Sequence, residues 1–307
     1  NLTNLTSLNL SDCSSLQNVD GLANLTKLTS LDLYGCSSIA HPSKEHMTNR
    51  EEVIEYQDKI RFIKALIDGD GDVLSEYKKL TSLDLSNCRS LQNVDGLANL
   101  NNLTNLNLGS NDHDRYGNYL GGCDSLQNVD GLANLTNLSS LDLWNCDSLQ
   151  NVDGLANCIK LTSLILSGCE SLQNVDGLAN LTNLTSLSLY GCSSLQNVDG
   201  LANLPNLTSL DMWSCSSLQN VDGLANLPNL IFLNLTGCLK LEAPQSLSSL
   251  PSDMTTREEV AAYQKNIRVF IALRDDDVGK LSADKDITSL DLRECSSLQN
   301  VDGLLNL

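Results

Sequence analysis

The 307-residue chain sets 38 acidic side chains against 19 Lys and Arg, a formal net charge of −19. That balance argues against a nucleic-acid backbone or an anionic membrane surface as the main partner, since both need a basic footprint. Hydrophobic residues make up 41% of the chain but aromatics only 4%, so any core must be built almost wholly from leucine, which is unlike an ordinary compact domain.

From its first residues the chain repeats one phrase: Leu-Thr-Ser-Leu-Asp-Leu-x-x-Cys-x-Ser-Leu-Gln-Asn-Val-Asp-Gly-Leu-Ala-Asn-Leu. Cys13 and Cys36 mark the first two copies, 23 residues apart. Residues 44–79 interrupt the pattern before Cys88, and a shorter interruption, residues 111–122, precedes Cys123. Cys123, Cys146, Cys169, Cys192, Cys215 and Cys238 then follow at an unbroken spacing of 23, and residues 245–286 interrupt again before Cys295. Cys158 falls outside this phase, in a leucine slot, and reads as a small core residue.

The two long interruptions are copies of each other. Thr48-x-x-Glu51 and Thr255-x-x-Glu258 read as capping boxes that open helices. Val53, Tyr56, Ile60, Ile63 and Ile67 form one helical stripe, matched by Val260, Tyr263, Ile267 and Phe270. The spacing predicts helices over Thr48–Ile67 and Thr255–Arg274, with 111–122 a loop. The offset between the copies is 207, nine repeats, and it also carries Cys88 onto Cys295. The chain therefore reads as one solenoid over 1–307, a window of a longer array, and neither end shows a capping repeat. No apolar run approaches 18 residues and no basic-then-apolar stretch opens the chain, so neither a membrane span nor a signal peptide is expected. Asn1-Leu2-Thr3 starts in mid-pattern, which leaves room for a signal upstream.

Within a repeat such as Leu138-Ser-Ser-Leu141-Asp-Leu143-Trp-Asn-Cys146, the leucines of Leu141-Asp142-Leu143 point to one face of a short strand and Asp142 to the other. Parallel stacking buries each repeat's leucines against its neighbours, which a lone unit of 23 residues cannot do. These motifs resemble the leucine-rich repeat family over essentially the whole chain. The Cys-x-x-Leu spacing is similar to the cysteine-containing and plant-receptor types, and Gly-Leu-Ala-Asn-Leu-Thr-Asn-Leu to bacterial internalin-type repeats. The resemblance implies an α/β fold, a right-handed solenoid with a parallel concave sheet and, here, two convex-side helical insertions. On the return path, Asp153 is expected to cap a single helical turn and Asn157 to mark its exit.

The phase-marking cysteines are expected to be buried free thiols, because stacked equivalents point in parallel. No Cys-x-x-Cys or nearby His supplies a zinc site. Asp20, Asp95, Asp130, Asp153, Asp176, Asp199, Asp222 and Asp302 share one slot. Capping contributes about 1 kcal/mol per Asp, comparable with the roughly 1 kcal/mol of repulsion between solvated charges, so no cation is required. Asp68-Gly69-Asp70-Gly71-Asp72 opens like a calcium loop but has Val73 where glycine is needed and Lys79 where a bidentate Glu is needed, so it reads as an acidic helix terminus. Asn111-Asp112-His113-Asp114 and Asp275-Asp276-Asp277 read likewise. His41, His46 and His113 sit in interruptions and support no catalytic arrangement. No enzyme activity, cofactor or metal is expected.

The informative slot is the residue after the second strand leucine, where Ser11, Tyr34, Ser86, Gly109, Trp144, Ser167, Tyr190, Trp213, Thr236 and Arg293 stand. Both Trp fall there, beside Asp142 and Asp211, in an aromatic-poor chain. Exposed Trp and Tyr next to carboxylates are typical of recognition hot spots, and solenoids bind on their concave surfaces. Tyr34, Trp144, Tyr190, Trp213, Asp142 and Asp211 are the candidate ligand-binding residues for a protein, peptide or glycan. Two functions fit: a non-enzymatic recognition module, or a structural segment of a long extracellular or filament-forming array that self-assembles through its ends. Eleven Asn-x-Ser/Thr sequons, including Asn24, Asn134, Asn180 and Asn206, fit a secreted or cell-surface setting or simply reflect the composition.

Overall fold

The computed structural model describes residues 4–34, 46–110, 122–241 and 253–275, together with Leu2, Cys36, Ile39, Gln299, Val301 and Leu304. The expected loop over 111–122, apart from Gly122, lies outside them, as do Arg293, Cys295, His41 and His113. Eleven short strands are described: β1 (Ser7–Asn9), β2 (Ser30–Asp32), β3 (His46–Met47), β4 (Ser82–Asp84), β5 (Asn105–Asn107), β6 (Ser140–Asp142), β7 (Ser163–Ile165), β8 (Ser186–Ser188), β9 (Ser209–Asp211), β10 (Phe232–Asn234) and β11 (Asp253–Met254). Three helices accompany them: α1 (Arg50–Asp68), α2 (Gly71–Ser75) and α3 (Arg257–Arg274).

The repeat strands pair in parallel with leucine opposite leucine, so that Leu141, Leu164, Leu187 and Leu210 form one row. All four are essentially inaccessible to solvent. A one-residue slip would turn every leucine outward, so the hydrophobic row itself fixes the register. The stack is not continuous, however. Strands β1 and β2 end on β3, which pairs antiparallel with β2, and the seven parallel strands β4 to β10 end on the antiparallel β11, which completes an eight-stranded sheet. Each long insertion turns the chain back along the last strand before the helix begins.

Opposite the strands, the Val-Asp-Gly-Leu segments form single 3-10 turns, such as Asp153–Leu155 and Asp176–Leu178, that stack on one another. The expected Asp caps are corrected here. Asp153 is the first residue of its turn and its side chain caps nothing. The cap is Asn151, whose Oδ1 accepts the Asp153 N–H at 3.2 Å, and Asn18, Asn93, Asn128, Asn174 and Asn197 do the same in their repeats. An asparagine two residues ahead reaches the first orphan N–H, whereas an Asp already inside the turn cannot.

The glycine of this segment is required by close approach. A Cβ on Gly154 would lie 2.2 Å from the Val129 carbonyl oxygen, and one on Gly177 would lie 2.4 Å from that of Val152. Gly21, the same slot in the first repeat, has nothing within 4 Å.

Helix α1 starts two residues later than expected, and its N-cap is Asn49 rather than Thr48. Asn49 Oδ1 accepts the Glu52 N–H at 3.0 Å. In α3 the box is Thr256 with Glu259, bonded in both directions. Thr48 and Thr255 stand just outside, each donating its backbone N–H to the same glutamate. Ile67, placed on the buried stripe by spacing, is half exposed, and Leu66 is buried in its place. The acidic run after α1 is a corner rather than a loose terminus: Gly69 closes the helix with φ +70°, and Asp70 Oδ1 accepts the Val73 N–H to start α2.

Two hydrophobic clusters result, and α1 belongs to both. Val53, Tyr56 and Ile60 pack with Leu28, Leu31 and Met47, while Phe62, Ile63 and Leu66 join the long leucine stack. Buried glutamines anchor the helices on the last turn of the preceding repeat. Gln57 donates to the carbonyls of Leu22 and Leu25 at 2.7 and 3.1 Å, and Gln264 to those of Leu224 and Leu227 at 2.8 and 2.9 Å. These carbonyls lie at the end of a stack, and unpaired burial of each would cost about 1–3 kcal/mol. The helices therefore act as internal caps, which sequence reading overlooked.

Candidate recognition surface

Each strand from β5 to β10 places its middle leucine inward and its first and last residues on the open face, where they are at least partly exposed. The last strand residue then forms a tight local turn. Asp142 Oδ1 accepts the Trp144 N–H at 2.9 Å, and Asp211 Oδ1 the Trp213 N–H at 3.0 Å. Asp32, Asp84, Asn107 and Asn234 accept equivalent bonds from Tyr34, Ser86, Gly109 and Thr236. The recurrent Asp or Asn thus has a structural role that sequence reading missed: it orients the backbone that presents the variable slot. Burial pushes the Asp142 carboxyl above its usual range, opposed by the Trp144 N–H, while nearby Asp84 raises it further.

Three of the four candidate aromatics converge. Tyr190 and Trp213 stack with ring centroids 4.6 Å apart and planes 12° from parallel. Trp144 and Tyr190 lie 6.3 Å apart at 30°, although the Ser167 repeat stands between them. Ser167 is completely buried and its hydroxyl meets that of Ser188 at 2.7 Å. A serine at that position gives the rings room to close over it, so Trp144, Tyr190 and Trp213 form one ridge. Tyr190 and Trp213 remain 38% exposed. Their faces are largely turned on each other, so the ridge offers ring edges and outer faces.

Tyr34 is not part of this ridge. It lies in the first sheet, stacked on His46 at 5.5 Å, and His46 Nδ1 is 3.0 Å from Asp32 Oδ1. The antiparallel β3 brings His46 there, a placement that nothing in the repeat phase signals. Elsewhere, Asp124, Asp147 and Glu170 follow three successive cysteines. The Asp147 carboxyl is pushed up to about 6 by burial and by its two acidic neighbours. Among the described residues no group of three or more His, Cys, Asp or Glu is arranged to hold a metal ion.

The cysteines form an interior ladder. Cys169, Cys192 and Cys215 each donate to the carbonyl of the second strand leucine one repeat back, at 3.2 Å. All described cysteines are unbridged, and all but Cys13 are buried. Burial of Cys13, expected from its phase, is corrected: Cys13 is exposed.

The BspA type leucine rich repeat region matches the sequence in six copies, over residues 95–219 and 143–255, together just over half of the chain. The chain belongs to the BspA-type leucine-rich repeat family. Among solved structures it is similar to an internalin, InlF, from Listeria monocytogenes, at 22% identity and a TM-score of 0.41 over 77% of this chain and 62% of that one. It is also similar to internalin C2 of the same organism, at 26% identity and a TM-score of 0.36 over 59% of this chain and 80% of that one. The chain thus spans less than two thirds of the InlF chain. No curated protein sequence matches it. Repeat domains of this family are in general protein-interaction modules.

Proposed function

We propose that the chain is a non-enzymatic recognition module that holds a protein, peptide or glycan along the concave face of a right-handed solenoid, in an extracellular or cell-surface setting. The observation that supports this best is the Trp144, Tyr190 and Trp213 ridge: it gathers both tryptophans of the chain at one recurring slot, beside Asp142 and Asp211. Asp142 and Asp211 flank the ridge and bias it toward basic or hydroxyl-rich ligands, and Tyr34 contributes a separate contact in the first sheet. On this reading the chain is one solenoid, with helical insertions at 44–79 and 245–286 on the convex side and a loop insertion at 111–122.

The test is a titration of the whole chain with a short Lys- and Arg-rich peptide, followed by tryptophan fluorescence and by calorimetry. Losing a hot-spot aromatic costs about 2 kcal/mol, roughly 30-fold in affinity, so Trp144→Ala combined with Trp213→Ala should weaken binding at least that much. A folded double variant that binds as tightly as the parent would refute the reading. A second reading, a structural segment of a long array, is favoured by α1, which lies in two hydrophobic clusters at once and so joins one run of repeats to the next. Concentration-dependent assembly through the solenoid ends, unaffected by the Trp substitutions, would support it.

A further inference from the structure

On the flank where the strands begin, a groove of about 500 Å³ runs past Lys160, Thr162, Asn183, Thr185, Asn206, Thr208, Asn229 and Ile231 to Arg257. It is separate from the ridge, which lies beyond the other end of the strands. The volume falls within the range of small-molecule sites. Four repeats line it, so it is about 15 Å long at the ~4.8 Å spacing of strands.

Its chemistry is set by which protons are already committed. Thr162, Thr185 and Thr208 each give their single hydroxyl proton to a carbonyl one repeat back, at 2.9–3.1 Å. Asn183, Asn206 and Asn229 each donate an amide proton to a carbonyl of the preceding repeat, at 2.7–2.8 Å. What the rungs offer outward is chiefly oxygen acceptors, which suit a ligand rich in hydroxyl donors. One acceptor set recurs per repeat, matching a linear polymer with one polar unit per rung.

The charge is unusual for this chain. The lining holds two cations, Lys160 and Arg257, and no carboxylate, although acids outnumber bases two to one overall. Arg257 opens α3, closes the end of the groove, and continues the asparagine ladder by donating to the Pro228 carbonyl at 2.5 Å. Lys160 spends one bond on Asn137 Oδ1 at 2.7 Å. Both keep further donors for a carboxylate.

We infer that this groove binds a linear glycan carrying carboxylates, an oligomer of uronic acids. Sugar hydroxyls bond to the Thr and Asn rungs, and carboxylates bond to Lys160 and Arg257. The site does not depend on the aromatic ridge.

The test is calorimetric titration of the full chain with tetragalacturonic acid, with cellotetraose as the neutral comparison. Saturable binding of the acidic oligomer is expected, about tenfold or more tighter than cellotetraose and weakened by salt. Lys160→Gln, at an exposed position, should weaken it about tenfold, and Thr185→Glu, which places a carboxylate in the groove, should abolish it. The Trp144→Ala, Trp213→Ala variant should bind the oligomer as the parent does. Absence of saturable binding, equal affinity for cellotetraose, or unchanged affinity in a folded Lys160→Gln variant would each overturn the assignment.

Discussion

Replacing the glycine of Val-Asp-Gly-Leu by alanine should have opposite signs in two repeats of the same local sequence. In Gly177→Ala the new Cβ would lie 2.4 Å from the Val152 oxygen and 2.7 Å from the Asp153 Cα. Both atoms are backbone, so one repeat must move off the next, and overpacking of this kind costs about 1–3 kcal/mol. In Gly21→Ala the Cβ meets nothing within 4 Å. The substitution there removes freedom from the unfolded chain and should stabilise by about 0.4–1 kcal/mol. Urea denaturation measures both: Gly177→Ala through tryptophan fluorescence, since the tryptophans directly follow β6 and β9 of the eight-stranded sheet, and Gly21→Ala through amide hydrogen exchange of the first two repeats. The slope with denaturant should stay constant while the midpoint moves down in the first variant. A neutral Gly177→Ala, or a Gly21→Ala as destabilising as Gly177→Ala, would show that stacking distance does not explain the glycine.

Iodoacetamide at pH 8 should label Cys13 and spare Cys88, Cys158 and Cys192, because burial pushes Cys88 and Cys192 up to about 12 and Cys158 to about 11. Labelling of Cys192 at the rate of Cys13, or a Cys146 to Cys169 bridge in non-reduced mass spectra, would contradict the ladder. For Asp147, the folded chain holds its proton more tightly than the unfolded chain does. Its contribution therefore favours folding below about pH 4 and is lost as pH rises through about 6. Asp147→Asn should unfold at a higher temperature than the parent at pH 8 and at the same temperature near pH 4; a gap independent of pH would remove the electrostatic explanation.

The leucine rows and the thiol phase were legible because a solenoid places equivalent residues in equivalent surroundings, so Cys146 and Cys169 can be read from each other. What the sequence concealed was whatever breaks that equivalence. His46 and Met47 carry no strand signal of their own, and their antiparallel pairing arises from the turn back that precedes α1. Cys13 matches the other cysteines in sequence and differs only in its neighbours. The Asp caps were misassigned for another reason: Asn151 and Asp153 are both good capping residues, and only the backbone shows which stands ahead of the turn. For the aromatic slot, spacing picks out Trp144, Tyr190 and Trp213, but their convergence across Ser167 depends on side-chain reach that the period does not encode. The groove on the strand-start flank drew no attention, because its Thr and Asn belong to the most repetitive part of the phrase.

Repeat arrays commonly lose structure from the ends inward, one unit at a time, because each unit touches only its neighbours. Helix α1 changes that behaviour. Its 19 residues would be marginally helical alone in water, and burial comes half from one leucine cluster and half from the other. If either cluster melts, half of the helix loses its support and the other half loses a stable partner. Fraying that reaches this point must therefore either stop or carry the junction with it, so that the two stacks share part of one cooperative transition across an interval in which no repeat strand connects them.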